Sequence, residues 1–182
     1  MTRQSPRIRQ LVFSAVCLAL CMVLPFLTGQ IPEIGGMLCP MHLPVLLCSL
    51  LCSPLWAAAV GFIAPLLRFV LFGMPPLMPT GLAMCFELAA YGLVSGLLIR
   101  RLPESRLKVW LAPIPAMLCG RIVWGIVRVL LSGVSGSAFT WTAFMAGAFT
   151  NAIPGIIVQL VLLPVLFSAL RHALPAAGHI HK

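Results

Sequence analysis

A chain of 182 residues, 61% hydrophobic and only 8% charged, lies far from the roughly 25% charged content of soluble domains. That excludes a soluble globular protein and points to a single membrane domain over residues 1–182, because spans of about 20 apolar residues leave room for five to seven crossings and little else. The net charge of +9 does not indicate nucleic acid, since the cations gather at segment ends and are not interleaved with solvated sequence.

A short basic tail, residues 1–7, opens the chain. It resembles the start of a signal peptide, but the apolar run continues to Leu27 with no small-residue cleavage pattern after it, so a retained first helix is expected from about Ile8 to Leu27. A Gly/Pro-rich connection, 28–41, contains Gly35-Gly36 and leads to a second helix, about His42 to Cys52, too short to cross a bilayer untilted. Pro54 suits the first turn of a third helix running to about Phe72. The stretch Gly73–Pro79 holds three prolines and is expected to be non-helical. A fourth helix follows over about Thr80–Arg101, with Thr80 as its cap. After a basic connection come a fifth, about Val109–Leu131, and a sixth, about Thr142–Arg171, kinked at Pro154 and Pro164. Residues 173–182 form a tail.

Six helices return both ends to one side, and the cations say which side. Arg3, Arg7, Arg9, Arg100, Arg101, Arg106, Lys108, Arg171 and Lys182 all fall at the ends or in the connection after helix four. The connections after helices one, three and five carry no Lys or Arg, which places them outside and both termini in the cytoplasm. The expected fold is an all-α integral membrane protein, a six-transmembrane-helix bundle. Its Gly/Pro-rich outer connections could serve as lids or as plain turns.

The remaining charges are the informative ones. Arg68, Glu87, Arg121 and Arg128 lie within apolar segments, where a charge costs at least about 2.5–3.5 kcal/mol at mid-helix and therefore faces a cavity or a partner. Glu87 and Tyr91 share a face of helix four, and Arg121, Trp124 and Arg128 share a face of helix five. On helix six, Gly147, Asn151, Gly155 and Gln159 form an i+4 stripe. Taken one at a time, these residues have structural explanations: an internal Glu87–Arg121 ion pair, Asn151 as interhelical glue, arginines reaching for the outer interface. Taken together they favour a ligand pocket among the last three spans, with Glu87, Tyr91, Arg121, Trp124, Arg128 and Asn151 lining it and His42 and Arg68 at its margin.

The other reactive side chains are weaker signals. Seven cysteines lie in apolar segments, and although Cys17/Cys21 and Cys48/Cys52 have i,i+4 spacing, small-hydrophobe packing explains them better than a metal. His179-Ile-His181 lies in the terminal tail and is taken as incidental. Three glutamates and no aspartate leave no carboxylate cluster for metal catalysis, and no phosphate-binding glycine loop occurs, so neither enzyme activity nor a cofactor is expected. Ala15 and Ala19 form a small-xxx-small pair on helix one, suited to close approach of another helix.

With its loop leading into His42-Leu-Pro-Val-Leu-Leu, its Trp56–Arg68 segment, Tyr91-Gly-Leu-Val-Ser-Gly-Leu-Leu and Asn151–Gln159, the chain resembles the S components of energy-coupling-factor (ECF) vitamin transporters over residues 8–172. The resemblance implies a multi-pass protein of a bacterial plasma membrane. Such a protein captures a vitamin or related micronutrient from outside, beneath the first outer loop, and joins a T component and two cytoplasmic ATPases that drive uptake. Ala15 and Ala19 look like the helix-one contact for the T component, and Glu87 and Asn151 are similar in position to the acid and amide that hold an aminopyrimidine in thiamine-binding members. A single tyrosine departs from that subgroup's aromatic pocket and argues against thiamine itself. One acid facing up to three arginines favours an amine-bearing heterocycle, with a carboxylate vitamin second. The alternative is an assembly subunit of the cell-wall machinery, in which the polar residues are purely structural.

Overall fold

The computed structural model describes residues 5–27, 31, 37–103, 107–135 and 140–173. Gly35-Gly36, Glu104, Arg106 and the His179–His181 tail lie outside the described residues. Among the described residues, the α-helices in chain order are α1 (Pro6–Leu27), α2 (His42–Leu51), α3 (Pro54–Phe72), α4 (Leu82–Arg101), α5 (Lys108–Leu111), α6 (Pro113–Ser135), α7 (Trp141–Met145) and α8 (Ile153–Ala173). No strand occurs among the described residues. Five stretches are long and apolar enough to cross a membrane, namely α1, α3, α4 with its leading turn, α5–α6 and α7–α8.

The short helix α2 is different in kind. Its ten residues are all buried, which is what a helix apolar on every side requires. At about 1.5 Å per residue it extends only some 15 Å, so it sits inside the bundle, against α1, α3, α4 and α8. Toward α1 it presents a seam of thiols and hydroxyls: Ser14 Oγ lies 3.6 Å from Cys52 Sγ and 3.8 Å from Cys48 Sγ, and Cys21 donates to the Met41 carbonyl at 3.5 Å. Small polarizable side chains thus let two helices approach while filling the gap.

The α3–α4 pair is set by missing side chains. A Cβ on Gly92 would lie 2.5 Å from the Ala57 carbonyl, and one on Gly61 would strike the Leu88 carbonyl. The two backbones therefore touch directly, the contact that small residues allow between membrane helices. On the other side of α4, a Cβ on Gly120 of α6 would meet the Tyr91 ring at 2.5 Å. Helix α4 is clamped between α3 and α6, and its Glu87 is carried into the centre of the bundle.

Three boundaries differ from the sequence expectation. Thr80 is not the cap of α4; it lies in a wide helical turn, Leu77–Gly81, interrupted by extended Met78, and its hydroxyl accepts from Arg128 Nη1 at 3.2 Å. The fifth span is broken at Ala112 because Pro113 and Pro115 restart the helix rather than continue it. The sixth is broken as well: α7, capped by Thr140, passes through a wide turn, Ala146–Thr150, before α8 begins at Ile153. Pro154 sits in the first turn of α8, so it starts a helix there instead of kinking one. The Asn151 amide donates to the Ala146 carbonyl at 2.9 Å, one residue further back than in a regular helix.

Candidate functional site

Four of the sequence candidates meet at the outer half of the bundle. Glu87 (α4), Arg121 (α6), His42 (the first residue of α2) and Tyr91 (α4) are each no more than 5% exposed. Arg121 Nη1 lies 3.1 Å from Glu87 Oε1, and His42 Nε2 lies 3.3 Å from the same oxygen. The His42 and Tyr91 rings meet edge to face with centroids 5.0 Å apart. Tyr91 is held on its other side by the bare face of Gly120. One carboxylate oxygen is therefore shared between a guanidinium and an imidazole in the dry centre of the protein.

That sharing leaves unmet demand. Glu87 Oε1, both His42 ring nitrogens and Arg121 Nε are buried without a hydrogen bond of good direction, so the close approaches to Glu87 are ion-pair contacts off the donor's line. An unsatisfied buried polar group costs about 1–3 kcal/mol, and more when charged. Four such atoms gathered in one place set this cluster apart from the rest of the buried core.

Two residues that were not assigned to the site complete it. Cys39 and Gln159 lie over the cluster, the first on the segment before α2 and the second on α8. Arg121 Nη2 donates to Cys39 Sγ at 3.4 Å, while Gln159 Nε2 donates to the Cys39 carbonyl at 3.3 Å. That carbonyl also accepts from the His42 amide at 3.0 Å. Cys39 takes a left-handed backbone, φ 47°, unusual for a residue with a Cβ. The preceding residues rest on α8 where Gly155 has no side chain, a Cβ there falling 2.5 Å from the Met37 carbonyl. Gln159 belonged to the i+4 stripe, so its signal was present in the sequence; Cys39 carried none beyond its place before His42.

The other candidates are not brought into this cluster. Asn151 is exposed, turned outward at the break before α8. The wide turn over Ala146–Thr150 adds a residue to the repeat, rotating everything before it by roughly 100° relative to Gly155 and Gln159. Trp124 and Arg128 form an outer rim: the Arg128 guanidinium lies 5.6 Å over the Trp124 ring, and Trp124 stacks on Phe144 at 6.3 Å. Arg68 is buried elsewhere, between α1 and α3, where Nη1 donates to the Met22 carbonyl at 2.8 Å and the guanidinium packs over Phe26 and Phe72. Ala15 and Ala19 lie on the exposed face of α1. A groove of about 400 Å³ lined by Ile122, Ile126, Trp141 and Phe144 among others faces the apolar exterior and contains none of the clustered groups. No group of three metal-ligating side chains able to hold an ion occurs among the described residues.

The sequence of this bundle matches a family described as the substrate-specific component of ECF transporters, over residues 9–167. The chain belongs to that family. No curated protein and no solved structure gives a significant match. Membership establishes a multi-pass integral membrane protein and a substrate-specific transport subunit, in agreement with the helical bundle and its five long apolar stretches. It also sets aside the cell-wall assembly alternative.

Proposed function

We propose that this S component captures a small amine-bearing heterocycle from outside the cell and delivers it together with a T component and two cytoplasmic ATPases. The observation that carries the reading is Glu87, 1% exposed, whose Oε1 faces both Arg121 and His42 without a well-directed hydrogen bond from either. A ligand N–H pointed at that oxygen would supply the missing bond, and charge-assisted bonds of this kind are the strong ones. A carboxylate ligand is disfavoured, because Arg121 already has a carboxylate partner that it would have to leave uncompensated.

Residues 37–41 cover the cluster, so entry requires that segment to move. Ala15 and Ala19, exposed on α1, form the surface for the T component, away from the cluster. The test is mass spectrometry of small molecules released from protein purified in mild detergent. A nitrogen heterocycle is expected with the wild type and absent from Glu87→Gln; the same molecule in equal amount from both would refute the assignment.

A further inference from the structure

We propose that Cys39 holds the place of the substrate, and that the site takes an uncharged ring bearing an amide or lactam edge. This rests on the cluster's being the substrate site, and it takes the ligand N–H that meets Glu87 to belong to an amide or lactam edge rather than to a free amine. Two donors, Arg121 Nη2 and Gln159 Nε2, converge on two acceptors of one residue, the Cys39 sulfur and carbonyl. Whatever replaces Cys39 there has to present acceptors to the same pair. Beneath it, Glu87 Oε1 lacks an in-line partner and calls for a donor. An amide or lactam edge carries an acceptor beside a donor, and fits both demands at once.

Charge counting sets the second half of the class. Glu87 faces Arg121 at 3.1 Å, so the acid and the base cancel before any ligand arrives. The remaining groups turned toward them are His42 from α2, Tyr91 from α4, Cys39 from the covering segment and Gln159 from α8, none of them a fixed charge. Arg68 is directed into the α1–α3 seam, and Arg128 stands two helical turns outward beside Thr80. A cationic or anionic ring would bring one uncompensated charge into surroundings no more than 7% exposed, which is costly. An uncharged ring would not.

The covering segment is built to be given up. Cys39 has a backbone conformation that residues with a Cβ adopt reluctantly, and releasing it relieves that. The segment lies on Gly155, so lifting it uncovers a smooth backbone wall on α8 with the Gln159 amide one turn further along. Gln159 is thus assigned as a specificity-determining residue, which contacts Cys39 here and would contact the substrate once the segment lifts.

The test uses the full-length protein in detergent and equilibrium binding of matched probes. The uncharged members are nicotinamide, whose charged counterparts are nicotinate and the N-methylated nicotinamide cation, and uracil, whose charged counterpart is orotate. At least one uncharged probe is expected to bind at least about tenfold more tightly than its charged counterparts, and to lose about tenfold in Gln159→Met, a substitution close in size. Tighter binding of a charged counterpart, or no binding of any uncharged probe, overturns the inference. Should Gln159→Met fail to fold, the wild-type ranking alone decides. A charged probe that binds and is lost in Glu87→Gln would leave the cluster as the substrate site and remove only the uncharged class. A probe whose binding survives both Glu87→Gln and Arg121→Gln would remove the site itself.

Discussion

Arg68 and Arg121 are buried to the same degree, 4% and 5% exposed, in neighbouring parts of one apolar bundle, yet they are held in opposite ways. Arg68 meets a helix carbonyl at 2.8 Å and two aromatic rings at 5.3 and 5.4 Å, which are themselves edge to face at 5.0 Å. These partners are a backbone carbonyl and two hydrocarbon rings, and they join the outer ends of α1 and α3. Arg121 meets a carboxylate, a thiol and a tyrosine, and a histidine competes for the same carboxylate oxygen. The first arrangement is local, joining two helices. The second is under-satisfied and gathers residues from α2, α4, α6, α8 and the segment before α2. A buried charge alone therefore does not separate the two; the difference is that several ionisable groups from distant segments meet around Arg121.

Removing Arg121 should separate the two most sharply. Arg121→Ala leaves Glu87 as an uncompensated buried charge, which typically costs about 3–5 kcal/mol. Thermal unfolding in detergent should show the largest loss of any single substitution in the bundle's polar groups, and ligand binding should fall at least tenfold. Pairing it with Glu87→Gln tests the cause. The double variant Glu87→Gln, Arg121→Gln carries no charge to strand, so it should recover most of the stability and none of the binding. Recovery of both would make the cluster structural, like Arg68.

Glu87→Gln by itself keeps an acceptor for Arg121 and should cost less stability than Arg121→Ala. Its binding should still fall at least about tenfold, equivalent to roughly 1.4 kcal/mol, because the charge-assisted bond to the ligand is lost. Arg68→Met is the reciprocal experiment. It removes one hydrogen bond and the ring contacts, together worth about 1–2 kcal/mol, while relieving the burial of a charge. The expected outcome is a fall of a few degrees in melting temperature with affinity changed by less than about twofold. A large drop in affinity would place Arg68 in the binding machinery.

How far the sequence revealed this molecule varies with the physics involved. The number and order of spans were legible because hydrocarbon thickness fixes their length, and cations at segment ends fix their sense. Glu87, Tyr91, Arg121 and His42 stood out because polar groups are scarce in such a chain, although their mutual contact depended on glycines packing α3, α4 and α6 backbone to backbone. Trp124 and Arg128 shared a face with Arg121 but not its depth, since each helical turn carries a side chain about 5.4 Å along the axis. Arg68 was indistinguishable from Arg121 in sequence; only the identity of its neighbours separates them. Gln159 was part of the i+4 stripe, but its partner Cys39 depended on how an irregular segment folds back over the bundle, which periodicity does not encode.

Asn151 provides the smallest effect and the cleanest check on helix geometry. An uninterrupted helix from Trp141 would carry Gly147, Asn151, Gly155 and Gln159 down one face, and Asn151 would then stand over the Glu87 cluster. The wide turn over Ala146–Thr150 breaks that register and leaves Asn151 exposed, while Gly155 and Gln159 stay buried. Asn151→Ala should consequently change stability by less than about 0.5 kcal/mol, as surface substitutions do, and affinity by less than about twofold. Gln159→Leu should cost about tenfold in affinity in the same assay. If the two variants exchange these outcomes, the last span is a continuous helix in the loaded protein, and the wide turn belongs to the empty one.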